Sequence, residues 1–392
     1  MVIAGEASGD MLAAELVEAL RQDSEIRRDP FAPRFIGAGG ARMAGAGVEL
    51  AFDMTAHAVV GLAEALRHYL KFRRLLQELM DLAFERRPDL IILVDFGGFN
   101  RRFAHAVRRR LGAETGLFHN WRPRIVQYVS PQVWASRPGR AESMARDMDL
   151  LLCLFPFEKP WYARRVPGLR VEFVGHPLVD RLLLRNPPSG PLSPAGGSDQ
   201  ETPLVLLLPG SRKGELNRHL PVMLPAARLI AAQCPARFRL VLPDEGLAGL
   251  ARRHSLTSVP GLETMVGGLT TSLSEASLAV ASTGTVTLEC AFSGLPAVTL
   301  YKTSWSTYHI ARRIVTVKHL AMPNLLADET IYPEFIQDAA TPQAIAGAAI
   351  KLLRDPVESG QVREKLRKVT KSLGEPGASL RAARAIGTLA GA

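Results

Sequence analysis

Two groups of residues have types and spacings that suit chemistry: hydroxyl and glycine clusters that could hold an anion, and carboxylates that directly follow apolar runs. Ser282-Thr283-Gly284-Thr285 follow the apolar Leu278-Ala279-Val280, and Gly284 supplies a tight turn into a helix. The first N–H groups of such a helix are unpaired and carry the positive end of its dipole, so they suit an anion. Thr283, Thr285 and Thr287 add hydroxyl donors. Glu289, about a turn further on, could accept from vicinal hydroxyls as an acidic residue does for a ribose. Taken alone, the stretch is better described as an ordinary strand-to-helix junction with threonine caps, because short glycine motifs occur often by chance.

The carboxylates are placed similarly. Asp95 ends the run Leu90-Ile91-Ile92-Leu93-Val94 and precedes Gly97-Gly98-Phe99-Asn100. Ligands of open α/β sheets bind beyond such carboxyl ends, so Asp95 is either a catalytic carboxylate or a cap for the next helix. Gly5-Glu6-Ala7-Ser8-Gly9-Asp10 leave the short run Met1–Ala4 in the same way, and Ser8 or Asp10 could cap the helix that follows. Pro209-Gly210-Ser211-Arg212-Lys213-Gly214-Glu215 follow Leu204–Leu208. His176, between Gly175 and Pro177, is a titratable group whose plainer role is structural. Cys153, Cys234 and Cys290 lie in apolar surroundings without ligand spacing, which argues against disulfides and structural zinc.

These turns need sheets behind them. Strand-like runs alternate with helical stripes along the chain, which predicts an α/β fold with doubly wound parallel sheets. The Pro/Gly/Ser-rich stretch 186–203 reads as a linker between a domain at 1–185 and a second Rossmann-like domain at 204–372. Residues 373–392 carry a final amphipathic helix that needs a partner surface, expected on the first domain. A helix is expected from about Leu220 to Gln233, and a basic amphipathic one from Leu62 to Arg87 with Arg67, Lys71, Arg73 and Arg74 on its polar side. A net charge of +10 and a pI near 9.8 imply an anionic partner: nucleic acid, a phosphorylated metabolite or a membrane surface. No nucleic-acid-binding signature is present. Without a signal peptide or a run of about 18 apolar residues, a cytosolic location is expected.

Several motifs are more specific together. AGEASGD at 4–10, YVSPQVWA at 128–135, FPFE at 155–158, FVGHPLVD at 173–180, LLPGSRKGE at 207–215, STGTVTLE at 282–289, PNLLA at 323–327 and PEFIQ at 333–337 follow one another in the order of a known family. Over nearly its whole length the chain resembles the bacterial lipid-A-disaccharide synthases.

The resemblance implies a GT-B glycosyltransferase, two Rossmann-like domains facing a central cleft. It implies inverting transfer of 2,3-diacylglucosamine from UDP to the 6-hydroxyl of 2,3-diacylglucosamine 1-phosphate, without metal or cofactor. The enzyme would work as a peripheral protein on the inner face of the cytoplasmic membrane, as a possible homodimer with exchanged C-terminal segments. UDP-sugar would be held by Ser211, Arg212, Glu215, Ser282, Thr283, Gly284, Thr285, Glu289, Asn324 and Gln337. Asp95 would be the general base, with Glu6 and Asp10 beside it, Gly5, Ser8 and Gly9 forming the acceptor-side turn, and His176 as alternative base. Where the family often has a second aspartate and a proline, this chain has Gly97 and Gly98, so only Asp95 carries over. The segment Val59–Leu66 resembles the family's membrane-facing region. The competing readings are a UDP-N-acetylglucosamine 2-epimerase on the same architecture, or a silent lipid- or nucleotide-binding protein.

Overall fold

The computed structural model describes residues 1–23, 33–54, 64–114, 120–185, 202–254 and 256–391. Most of the proposed linker and of the membrane-facing segment at 59–66 lies outside the described residues, as do the side chains of Arg67 and Lys71. The chain divides into two compact units, Met1–Arg181 with Leu373–Ala392, and Leu182–Ser372.

In the first unit the strands are β1 (Val2–Ala4), β2 (Ile36–Gly39), β3 (Glu49–Asp53), β4 (Leu90–Val94), β5 (Arg124–Tyr128), β6 (Leu150–Cys153) and β7 (Arg170–Phe173). They alternate with helices α1 (Ala7–Gln22), α2 (Ala41–Gly45), α3 (Glu64–Arg86), α4 (Gly97–Ala113), α5 (Arg140–Asp147), α6 (Glu158–Arg165) and α7 (Pro177–Arg185). All pairings are parallel, in the order β3-β2-β1-β4-β5-β6-β7. The run Leu90–Val94 is apolar throughout because both of its faces are covered. Ile91 and Leu93 join Leu79, Phe103 and Met144 on one side, whereas Ile92 and Val94 join Leu12, Leu16 and Ile386 on the other. That split is the two-residue period of a strand.

The second unit has β8 (Leu204–Leu208), β9 (Arg237–Leu242), β10 (Leu262–Val266), β11 (Leu278–Ser282), β12 (Ala297–Tyr301) and β13 (Glu334–Ile336). Its helices are α8 (Lys213–Ala231), α9 (Glu245–Ala251), α10 (Leu269–Glu275), α11 (Thr285–Phe292), α12 (Trp305–Ile314), α13 (Met322–Ala327), α14 (Pro342–Arg354) and α15 (Pro356–Ser372). The order is β10-β9-β8-β11-β12-β13, again parallel. The expected two Rossmann-like α/β domains are therefore present. Helix α8 begins at Lys213 rather than near Leu220 and continues through Pro221 and Pro225. Its buried stripe of Leu216, Leu220, Met223, Leu224 and Ile230 offsets the hydrogen bonds that the prolines cannot make.

The last helix, α16 (Ala378–Ala390), belongs to the first unit. Ala382, Ala383, Ile386 and Leu389 pack into the α1 side of the core. Asp180 accepts from the Gly377 and Ala378 amides at its start, and Arg381 Nε donates to Val174 O at 2.8 Å.

Candidate active-site loops at the strand-order reversals

Each sheet reverses its strand order once, and each reversal parts two neighbouring loops into a crevice at the carboxyl edge, the usual ligand position in such sheets. In the first sheet the reversal lies between β1 and β4, where Ala4 pairs with Val94. The chain leaves these strands as Gly5–Gly9 and Asp95–Gly98, the two stretches singled out for the acceptor side.

The backbone there is strained. Asp95 and Phe96 have φ of 50° and 39°, and Val129, at the end of the adjoining β5, has 68°. Left-handed geometry at non-glycine residues costs on the order of 1–3 kcal/mol each and persists only when the surroundings impose it. Two buried amides impose it here. Asn100 Nδ2 donates to Asp95 O at 2.8 Å, and Gln127 Nε2 donates to Asp95 O at 3.0 Å and Val129 O at 3.1 Å. Glycine is needed at position 5, where a Cβ would lie 2.2 Å from the Phe96 ring, and at 97, where it would lie 2.8 Å from Pro131. At Gly98 a Cβ would meet nothing within 4 Å, so packing does not forbid a side chain there.

The Asp95 carboxylate is turned toward the first loop, where Ser8 Oγ donates to Oδ2 at 3.4 Å. Burial raises its pKa, with the Phe96 amide and Ser8 opposing the shift. Glu6 is half-buried at the start of α1 and makes no capping bond.

In the second sheet the reversal lies between β8 and β11, where Leu208 pairs with Ala281. Pro209–Arg212 and Ser282–Thr285 emerge side by side. Gly210 and Gly284 take φ of 113° and 129°, a region closed to most side chains. Arg212 is 67% exposed, held only loosely by Glu215 Oε1 at 3.7 Å. Thr283 and Glu289 are half-buried and Thr285 is exposed.

The family model described as lipid-A-disaccharide synthetase matches residues 1–385. The lipid-A-disaccharide synthase of Geobacter metallireducens is 38% identical over 386 residues, covering 98% of this chain and 95% of that one. That of Trichlorobacter lovleyi is 39% identical over 390 residues with the same coverage. The chain belongs to the lipid-A-disaccharide synthase family. Among solved structures, a putative UDP-N-acetylglucosamine 2-epimerase from Listeria monocytogenes superposes with a TM-score of 0.60 at 14% identity, covering 99% of this chain and 95% of that one. Acinetobacter baumannii MurG gives 0.53 at 15% identity, covering 99% of each chain. At such identities these two report the fold alone.

For this lipid-A-disaccharide synthase family member, the tertiary contacts reassign several residues expected at the site. Asp10 is 4% exposed and faces α2: its oxygens accept from the Gly40, Arg42 and Met43 amides at 2.7, 3.0 and 3.1 Å. It caps the helix after β2, not its own. His176 Nδ1 accepts from Leu178 N at 3.1 Å, and burial pushes its pKa down to about 4. So weak a base suits the structural role better than proton abstraction near neutral pH. Glu215 Oε2 accepts from Ser211 N at 3.1 Å and closes the glycine turn. Thr287 donates to Gly284 O at 2.6 Å and accepts from Met322 N at 3.2 Å, so its hydroxyl is spent within the fold.

Asn324 is fully buried and also spent. Its Oδ1 accepts from Ile331 N and Tyr332 N, and its Nδ2 donates to Tyr332 O and Glu334 Oε1, all within 2.9 Å. Gln337 Oε1 accepts from Thr303 N at 2.7 Å and Nε2 donates to Thr303 O at 3.3 Å. Asn324 has no donor or acceptor left for a ligand, whereas Gln337 keeps a second amide N–H beyond its bonds to Thr303. Asn324→Ala should therefore show mainly as instability, a loss of about 2–4 kcal/mol from two stranded buried amide N–H groups. A urea midpoint equal to wild type would refute the structural assignment.

Two further polar residues escaped the sequence reading. His219 Nδ1 donates to Pro209 O at 2.7 Å and its Nε2 accepts from Lys302 N at 3.0 Å, tying the β8 loop to the end of β12. Glu158, 1% exposed, accepts from Trp134 Nε1 at 2.9 Å and from the Leu154 and Phe155 amides, and burial lifts its pKa to about 7. Its place in the FPFE motif, downstream of the tryptophan of SPQVW, was the available signal.

Proposed function

We propose that the protein moves 2,3-diacylglucosamine from UDP to the 6-hydroxyl of 2,3-diacylglucosamine 1-phosphate, giving a β-1,6-linked disaccharide phosphate and UDP. Membership of the family over residues 1–385 supports the reaction, and its relatives are named for that disaccharide. The observation that carries the mechanism is the Asp95 carboxylate, held by strained backbone at the first reversal with Ser8 beside it. The acceptor O6 attacks the donor C1 from the face opposite the phosphate. Its proton passes to an Asp95 oxygen, the C1–O bond breaks, and its electron pair leaves on UDP. Arg212 and the unpaired amides at the start of α11 meet the charge growing on the pyrophosphate, and Glu289 holds the ribose hydroxyls. Glu6 borders the acceptor.

The test is purified protein with the acylated UDP-sugar, with and without the lipid monosaccharide phosphate, read by mass spectrometry. Acceptor-dependent disaccharide phosphate is expected. Conversion of separately supplied UDP-N-acetylglucosamine to its 2-epimer, followed by proton NMR because the epimers share one mass, with no disaccharide from the acylated substrates, would overturn the reading in favour of the epimerase alternative.

Acylated substrates call for work at the membrane surface. No described helix is long and apolar enough to cross a bilayer. Helix α12 supports a peripheral contact: none of its residues is buried, and Trp305 and Ile310 are 75% and 60% exposed. Trp305, Tyr308, His309 and Arg312 share one face and Arg313 flanks it, the mixture of aromatic and basic groups that suits anionic headgroups. Trp305→Ser with Ile310→Ser is expected to lower cosedimentation with phosphatidylglycerol vesicles about tenfold while leaving UDP affinity intact. Unchanged cosedimentation would remove α12 from the contact. A homodimer would follow if α16 of a second copy filled the surface that α16 covers within its own chain.

A further inference from the structure

Helices α4 and α5 follow β4 and β5, each running back from the carboxyl edge of the first sheet, so they run in the same direction. Their packing is fixed by Arg108, whose Nε donates to Asp147 O at 3.2 Å, and by His105 Nδ1, 3.1 Å from Asp147 Oδ2. Positions 101 and 108 on α4 are seven apart, as are 140 and 147 on α5. Seven residues are two helical turns, so the contact that ends at Arg108 and Asp147 aligns Arg101 with Arg140 at the carboxyl edge. Arg102 adjoins Arg101, and Arg140 N donates to Arg137 O at 3.0 Å, with Arg137 itself held at φ 59°.

Arg140 senses the other three: burial, then the charges of Arg137, Arg101 and Arg102, push its guanidinium below its ordinary value. Lower on α4, Arg108 is matched with Asp149 at 2.5 Å and Arg110 with Asp81 at 3.5 Å. Among the described residues, the guanidinium groups of Arg101, Arg102, Arg137 and Arg140 have no carboxylate or carbonyl partner. An unneutralised arginine group at a sheet's carboxyl edge suits a multiply charged oxyanion, which planar guanidinium donors bind in pairs. Asp95 precedes α4 by two residues, and Gly97 rests on Pro131 in the loop that leads to Arg137.

We propose that Arg101, Arg102, Arg137 and Arg140 form a binding site for a sugar phosphomonoester, the 1-phosphate of the acceptor. The assignment rests on the reaction proposed above, in which the 6-hydroxyl reaches Asp95 while the phosphate projects from the other end of the same ring. The four arginines set specificity for a phosphorylated acceptor and take no part in proton transfer.

The experiment measures direct binding, independent of turnover, of a short-acyl 2,3-diacylglucosamine 1-phosphate and of the same sugar without its phosphate. Arg137→Gln and Arg140→Gln should each weaken the phosphorylated ligand about tenfold and together about a hundredfold, with Arg140→Lys recovering part of the loss. The unphosphorylated sugar should bind wild type and variants alike, and UDP affinity, a property of the second unit, should not move. An equal loss for both sugars, or no loss for the phosphate, would overturn the site. Vesicles of phosphatidylglycerol test the other source of the same chemistry: loss of vesicle binding with intact sugar-phosphate binding would also overturn it. Arginine-dependent binding without disaccharide formation would sink the reaction and keep the site; disaccharide formation with arginine-independent binding would do the reverse.

Discussion

Asp95→Asn is expected to lower kcat by about 10²–10⁴-fold, the usual contribution of a positioned general base, while UDP binds as in wild type. Asparagine keeps the size of the side chain and can still accept from Ser8, which stands 3.4 Å from Oδ2, but it cannot take the proton of the attacking hydroxyl. The pH profile provides an independent check. Burial raises the Asp95 pKa, and a base works only when deprotonated. Activity should therefore fall, as pH is lowered, at a higher pH than the usual aspartate value of about 3.9. Stability runs the other way. A carboxyl group whose folded pKa is raised stabilises the fold below its unfolded pKa, and that contribution is lost as pH rises through the folded value. At neutral pH the asparagine variant should thus melt no lower than wild type, which separates lost chemistry from lost folding. Turnover at the wild-type rate would remove Asp95 as the base.

The second large effect is expected at Arg212. Arg212→Met should reduce kcat/KM by about 10²–10³-fold, the scale of removing one donor to a charge that develops in the transition state. Methionine keeps much of the length and loses the charge. Arg212 is 67% exposed and only loosely paired with Glu215, so its removal should leave the melting temperature nearly unchanged. Arg212→Lys should recover part of the activity, because a point charge replaces a two-pronged donor. A rise in KM alone, with kcat intact, would mean that Arg212 binds the ground state and the transition state equally and would refute its role in departure.

The contrast between Arg212 and Glu215, three residues apart in one motif, shows where sequence reasoning stopped. Both sit in LLPGSRKGE and both are polar. One points outward, whereas the other turns back to the Ser211 amide because Gly210 at φ 113° brings that amide within reach. Asp10 shows the same limit. As the fourth residue of α1 it suggested a local task, yet its carboxylate serves Gly40, Arg42 and Met43, whose approach depends on β2 pairing beside β1. Asn324 and Gln337 belong to motifs of the family, and those motifs are here occupied in holding loops together.

The sequence by itself determined the two parallel sheets, because strands covered on both faces must be apolar throughout, as in Leu90–Val94 and Leu204–Leu208. It also placed both candidate loops after the right strands and pointed to the family through the order of its motifs. It did not reveal β3 or β10, edge strands that expose alternate or most residues and so lack an apolar run, nor β13, only three residues long. Only the tertiary structure decided which polar side chains remain free for substrate. Hydrogen-bond partners such as Gly40 for Asp10 or Thr303 for Gln337 lie some thirty residues away and are set by strand order, which local spacing does not encode.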